Sequence, residues 1–161
     1  MHRNIKILDC TLRDGGYVNN WRFSKFQISK ITDSLEKSNI DIIELGYLND
    51  KKGGKENSTL FDSISAIDNI LSDVPNNFIK VVMVDLFAFD VGKLPPKNDT
   101  KIDGIRLAFH KKDVDDALLS AEKIIDLGYQ LFFQPMVTKM YTDDEFLSLI
   151  EKANQLSIYA F

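Results

Sequence analysis

The sequence is poor in the residues that usually declare a chemistry. It has one cysteine, Cys10, and two histidines, His2 and His110. A lone cysteine has no partner for an internal disulfide, which fits a reducing compartment. Beside a strand it reads as a small packed residue, not a nucleophile. No run approaches the ~20 apolar residues of a membrane helix. The opening residues MHRNIKILD hold no long apolar stretch, so no signal peptide is expected. Positive charge is also in deficit: the net charge is -4 and the pI is near 5.2. That argues against a nucleic-acid or anionic-membrane surface. No GxGxxG or Walker A pattern follows any expected strand, which removes the common nucleotide-binding architectures. The expectation is a soluble, cytoplasmic protein without nucleic-acid or membrane partners.

What is present is ordinary globular material: 44% hydrophobic and 27% charged residues, enough to exclude disorder. Apolar runs and helical patterns alternate. Strands are expected at Ile5–Leu8, Asp41–Gly46, Ile79–Val84, Gly104–Phe109, Gln130–Met136 and Leu156–Phe161. Between them, Ser24 and Gln27 have the spacing of a capping box, as do Thr142 and Glu145. Ile28, Ile31 and Leu35 share one helical face. Asn57 or Ser58 is expected to cap a second helix with Ile64, Ile67 and Leu71 inward. Leu86 to Thr100, with Pro95-Pro96, predicts a short or irregular third helix. A helix over Asp113–Leu127 should end at Gly128.

This β/α rhythm implies a parallel sheet with right-handed crossovers. A complete (β/α)₈ barrel takes ~250 residues. The 161 residues therefore predict a single domain of the α/β class, a partial TIM barrel of about five and a half β/α units. A six-stranded open sheet is the competing architecture. In a partial barrel the first and last strands are open edges, and open edges promote self-association.

Candidate functional residues gather where the first strand ends. IKILDCTLRDGGY turns abruptly from apolar to polar, placing Asp9, Thr11, Arg13 and Asp14 before Gly15-Gly16. Sites in α/β enzymes lie beyond the carboxyl ends of the strands. A solvated surface turn is the bland alternative for Arg13 and Asp14. Gly15 to Phe23 reads as a loop in which Tyr17 and Trp21 line a pocket or pack the loop down, the second being favoured for Trp21. Glu44 interrupts the apolar strand IIELG, and a carboxylate there is costly unless paired. Its natural partner is Arg13. The polar loop Asn49–Ser58 is either a solvated connection or a flap. His110 sits at the end of the strand GIRLAF, either facing the pocket or held as a structural histidine.

DCTLRDGGY, followed one unit later by IIELGY, resembles the metal-dependent aldolase and acyltransferase superfamily with a TIM-barrel catalytic domain, the hydroxymethylglutaryl-CoA lyase-like proteins. IRLAFH and QPM are compatible but less specific. The double-glycine form is most similar to 4-hydroxy-2-oxovalerate aldolase-like members. The resemblance implies a carbon–carbon lyase that cleaves a 4-hydroxy-2-oxo acid into pyruvate and an aldehyde. It makes Asp14 a ligand to Mn²⁺ or Mg²⁺ and Arg13 the group that binds the substrate's keto or enolate oxygen. Glu44 would position Arg13 or the metal shell. Tyr17 stands where the aldolases carry a histidine acting as general acid–base, and its reference pKa of ~10 makes it a poorer base at neutral pH. The superfamily completes its metal site with a His-x-His pair. His2 and His110 are not such a pair, and His2 is assigned no role. The isolated chain is accordingly expected to be inactive and to bind metal weakly. A Claisen-type acyltransferase such as an isopropylmalate synthase-like enzyme, and a non-catalytic half-barrel binding module, are the alternative readings.

Overall fold

The computed structural model describes residues 5–161, so His2 lies outside the described residues. In chain order the elements are β1 (Leu8–Asp9), α1 (Thr11–Asp14), α2 (Gly16–Asn19), α3 (Lys25–Lys37), β2 (Ile42–Leu48), β3 (Leu60–Phe61) and α4 (Ile64–Asp68). They continue with β4 (Ile79–Asp85), β5 (Gly104–Phe109), α5 (Val114–Asp126), β6 (Gln130–Pro135), α6 (Asp143–Ala153) and β7 (Ile158–Ala160). The main strands lie in the order β1-β2-β4-β5-β6-β7, all parallel, with β3 beside β2. The sheet curls into a half-barrel, a partial TIM-like barrel.

Strand alternation divides the core in two. Ile43, Leu45, Val82, Val84, Ile105, Leu107, Leu131 and Phe133 face the helices and pack with Ile28, Ala117, Ala121, Ile124 and Leu149. Their neighbours Ile42, Val81 and Phe132 face the inside of the curl, joined by Leu8, Ile79 and Ala160. The second set fills the floor of the half-barrel. Polar side chains at the same parity, further along the strands, are left to line its open end.

Both capping boxes form as their spacing predicts, Ser24 with Gln27 and Thr142 with Glu145. The third crossover contains only 3₁₀ turns, Val91–Lys93 and Lys97–Asp99. Gly128 takes a φ of +90° just past α5, as a C′ glycine does.

Three expectations are corrected. The first strand covers Leu8–Asp9, not Ile5–Leu8, and Ile5 and Ile7 are exposed. A strand with one neighbour keeps only the residues that neighbour can pair, and β2 pairs Leu8 and Asp9 alone. The stretch from Gly15 is not an open loop but a continuation of helical turns, with Gly15 itself at φ -59°. The second helix is not capped by Asn57 or Ser58. Residues 60–61 first pair with β2 as β3, and the helix begins only at Ile64, behind Ser63. Ile64, Ile67 and Leu71 are nonetheless buried. No helix among the described residues is long and apolar enough to cross a membrane.

Among the described residues β1 pairs only with β2 within the barrel wall, and β7 only with β6. Exposed apolar residues flank both edges: Ile5 and Ile7 at one, Tyr159 and Phe161 at the other. Lys6 Nζ donates to Tyr159 Oη at 2.6 Å, a polar contact between the two edges. Such edges template further pairing. Light scattering of the 161-residue chain is expected to show mass rising above the monomer with concentration. A constant monomer mass up to high concentration would contradict this.

Candidate active site

The site begins with how the chain leaves β1. Asp9 accepts from the Thr11 N–H at 2.9 Å and from the Thr11 hydroxyl at 3.0 Å, an Asx-type turn that starts α1. Leu12 is fully buried below the turn, and its carbonyl accepts from the buried Thr59 hydroxyl at 2.6 Å. With Leu12 anchored, the next residue, Arg13, is directed to the inside of the curl.

There Arg13 meets Glu44. Arg13 Nε donates to Glu44 Oε2 at 3.0 Å, and Arg106 Nη1 donates to the same oxygen at 3.2 Å. Arg13 Nη1 also reaches Asp14 Oδ1 at 2.7 Å. Arg106 Nη2 donates to Gln134 Oε1 at 2.9 Å. The Glu44 side chain is fully buried, Arg13 and Arg106 are 12% and 20% exposed, and Asp14 is 64% exposed at the rim. One buried carboxylate thus lies between two guanidiniums, while the second carboxylate in contact with Arg13, Asp14, lies out at the rim. Glu44 Oε1 is buried without a hydrogen-bond partner. Burial pushes the Glu44 carboxyl up, opposed by Arg106 and then Arg13. Burial works against the charge on Arg13, but Glu44 and then Asp14 together outweigh it and the guanidinium pKa rises. The two guanidiniums in contact favour the ionised form of Glu44.

Gly46 bends β2 just beyond Glu44. A side chain there would collide with the Thr59 carbonyl, so only glycine lets the chain before β3 close against the strand. The register shifts across this point, between Glu44 and Tyr47. Tyr47 then sits beside Met83, which pairs in turn with Arg106. Tyr47 Oη approaches Asp85 Oδ2 at 3.5 Å. The Tyr47 hydroxyl pKa is pushed up to about 12, by burial first and Asp85 second. Burial also pushes the Asp85 carboxyl up, with His110 pulling it back.

The aromatic side of the site is folded around Gly16. Asn20 and Trp21 both take left-handed φ, +57° and +54°, and return the indole over that glycine, where any side chain would clash. Trp21 stacks on Tyr47 with centroids 6.2 Å apart and meets Tyr17 edge-on at 4.8 Å. It therefore packs the segment down, as favoured from the sequence. The loop after β2 is pinned as well: Asn49 is buried and its side chain accepts from the N–H groups of Lys51 and Lys52. Cys10 is partly buried, and burial pushes its thiol up, the opposite of what a nucleophile needs.

The structure brings Arg13, Asp14 and Glu44 into one network. Tyr17, 64% exposed, joins them only through the aromatic stack. His110 is exposed at the end of β5, lining a hollow of about 600 Å³ with Met136, Val137 and Met140. Arg106, Gln134, Tyr47 and Asp85 were missed. Arg106 carried a usable signal, since a charge inside the apolar run GIRLAF needs a partner for the same reason as Glu44. Among the described residues no group of three or more His, Cys, Asp or Glu converges. Asp14 offers one carboxylate, already in contact with Arg13. A divalent cation prefers several hard oxygen ligands, so the residues present do not by themselves fit a metal site.

No protein-family model matches the chain. 4-Hydroxy-2-oxovalerate aldolase 6 of Rhodococcus jostii (strain RHA1) is 24% identical over 144 residues, covering 88% of this chain and 40% of that protein. The crystal structure of the N-terminal domain of a candidate aldolase from Bacteroides vulgatus matches with a TM-score of 0.64 and 22% identity, over 94% of this chain and 60% of that one. The second likeness establishes the fold. Both matched proteins carry the aldolase description that DCTLRDGGY suggests, and the chain spans less than two thirds of either.

Removing one member of a buried ion pair leaves the others uncompensated and costs about 3–5 kcal/mol. Glu44→Gln leaves two guanidiniums facing each other and is expected to destabilise the chain by about 3 kcal/mol in urea unfolding. A change below about 1 kcal/mol would show that Glu44 is not the counter-charge of both arginines.

Proposed function

We propose that the chain forms the substrate-clamping part of an aldolase that cleaves 4-hydroxy-2-oxo acids into pyruvate and an aldehyde. The observation that carries this reading is the pair of guanidiniums held by buried Glu44 on the inner face of the curled parallel sheet. Breaking the C3–C4 bond of such an acid leaves an electron pair that spreads onto the C2 oxygen. A guanidinium stabilises that oxygen without surrendering its proton. Each guanidinium has five N–H donors. Those of Arg13 and Arg106 not directed at Glu44, Asp14 or Gln134 serve the substrate's carboxylate and C2 oxygen. Two inward guanidiniums with donors to spare favour an anionic 2-oxo acid over neutral sugars or aldehydes.

The likeness to the Rhodococcus aldolase supports the substrate class, and the partial coverage makes it a reading of part of a site. The resemblance implies Mn²⁺ or Mg²⁺, but the residues present do not fit such an ion, and no step here runs through one. The clamping by Arg13 and Arg106 does not depend on the ion.

Oxalate mimics the pyruvate enolate in charge and shape. Calorimetry is expected to show saturable oxalate binding by the chain. Arg13→Lys should weaken it by about tenfold or more, since the charge stays but the two-pronged contact goes. Equal affinity for the parent and Arg13→Lys chains would contradict the proposal.

A further inference from the structure

We propose that Asp85, held by Tyr47, is the catalytic base that takes the substrate's C4 hydroxyl proton. The inference rests on the aldolase reading above and names the acid–base group of that site.

The placement comes from register. Glu44 pairs with Val81, Tyr47 with Met83, and Met83 with Arg106. Partners in adjacent strands point to the same side of a sheet, so Tyr47, Met83 and Arg106 form one row on the inside of the curl. Asp85 stands two residues further along β4, opposite Ala108, one row above the arginine. Its side chain is therefore on the inner face, at the mouth, above the guanidiniums that hold the 2-oxo acid end. A 4-hydroxy-2-oxo acid clamped at C1 and C2 by Arg13 and Arg106 extends its C4 hydroxyl toward that mouth.

The groups around Asp85 suit the task. Tyr47 approaches from β2, His110 from the end of β5, and Asp113 from the turn that follows. Burial raises the Asp85 carboxyl above its ordinary value, which improves it as a base. Tyr47, with a pKa of about 12, stays protonated and orients the carboxylate by donating to Oδ2. Tyr47 is thus a positioning residue. The two environments set one group as acceptor and the other as fixed donor. Tyr17 is mostly solvent-exposed and turned edge-on to Trp21, without a comparable partner.

The step balances within the substrate and one carboxyl group. Asp85 accepts the C4 hydroxyl proton, the C4–O bond becomes a carbonyl, and the C3–C4 bond breaks. Its electron pair forms the C2–C3 double bond of the enolate, whose oxygen faces Arg13. After the aldehyde leaves, Asp85 returns the proton to C3 and pyruvate results.

The test compares binding of 4-hydroxy-2-oxopentanoate and 2-oxopentanoate to the chain by calorimetry across pH. The parent chain is expected to prefer the hydroxylated ligand by about tenfold or more, the worth of a hydrogen bond to a charged group. Asp85→Asn should erase the preference while leaving 2-oxopentanoate affinity within about twofold. The preference should fade as pH drops through the Asp85 pKa. Tyr47→Phe, which removes a donor to the carboxylate, should move that fading to higher pH. Equal binding of both ligands by the parent chain overturns the role of Asp85 alone. Loss of preference in Tyr17→Phe but not in Asp85→Asn overturns it in favour of Tyr17. Failure of either ligand to bind overturns the aldolase reading and this inference with it.

Discussion

Glu44 is the constraint around which the half-barrel's open end is arranged. Its carboxylate is fully buried in the middle of a strand otherwise built of Ile, Leu, Gly and Tyr. An ionised group in that position is tolerable only with charged hydrogen-bond partners close by. The partners come from different parts of the chain: Arg13 from the turn after β1, and Arg106 from the middle of β5. Arg106 in turn fixes Gln134 on β6. One carboxylate therefore ties together four barrel strands, and the same contacts hold two guanidiniums on the inner face where an anionic ligand would bind. The energetic need of Glu44 and the proposed function of the site are met by the same atoms.

The backbone around Glu44 is shaped to allow this. Gly46 lets Thr59 lie against β2, and the Thr59 hydroxyl holds the Leu12 carbonyl. Leu12 precedes Arg13, so the tight approach at Gly46 is transmitted to the guanidinium through one buried hydrogen bond. Trp21, folded back over Gly16, braces the next turn against Tyr47. The small residues at 16 and 46 serve as points of close contact between segments. Placing the arginine thus depends on steric fit at two glycines as much as on charge.

The sequence made the periodic parts of this fold readable. The alternation of apolar runs and capped helices implied the parallel sheet, and Ser24–Gln27 and Thr142–Glu145 marked helix starts because capping is local chemistry. The pairing of Arg13 with Glu44 was readable for a similar reason, since a charge inside an apolar run demands a partner. Ile5 and Ile7 misled because apolar character suggests burial, while an edge strand keeps only what its one neighbour covers. The GGYVNN segment misled because its glycines permit a loop, and the helical turns there depend on Trp21 packing back from farther along the chain. Asp85 was passed over because its role arises only when strands distant in sequence are laid side by side; that Arg106 needs a partner was readable in GIRLAF, but not that the partner is a carboxylate 62 residues away.

Glu44 fixes the orientation of both guanidiniums. The direct measurement is ¹⁵N–¹H NMR of the arginine side chains. A slowly exchanging Arg13 Nε–H resonance is expected, shifted by its bond to Glu44 and lost in Glu44→Gln, together with restricted rotation of the Arg106 guanidinium. Fast-exchanging, unshifted resonances for both arginines in the parent chain would contradict it.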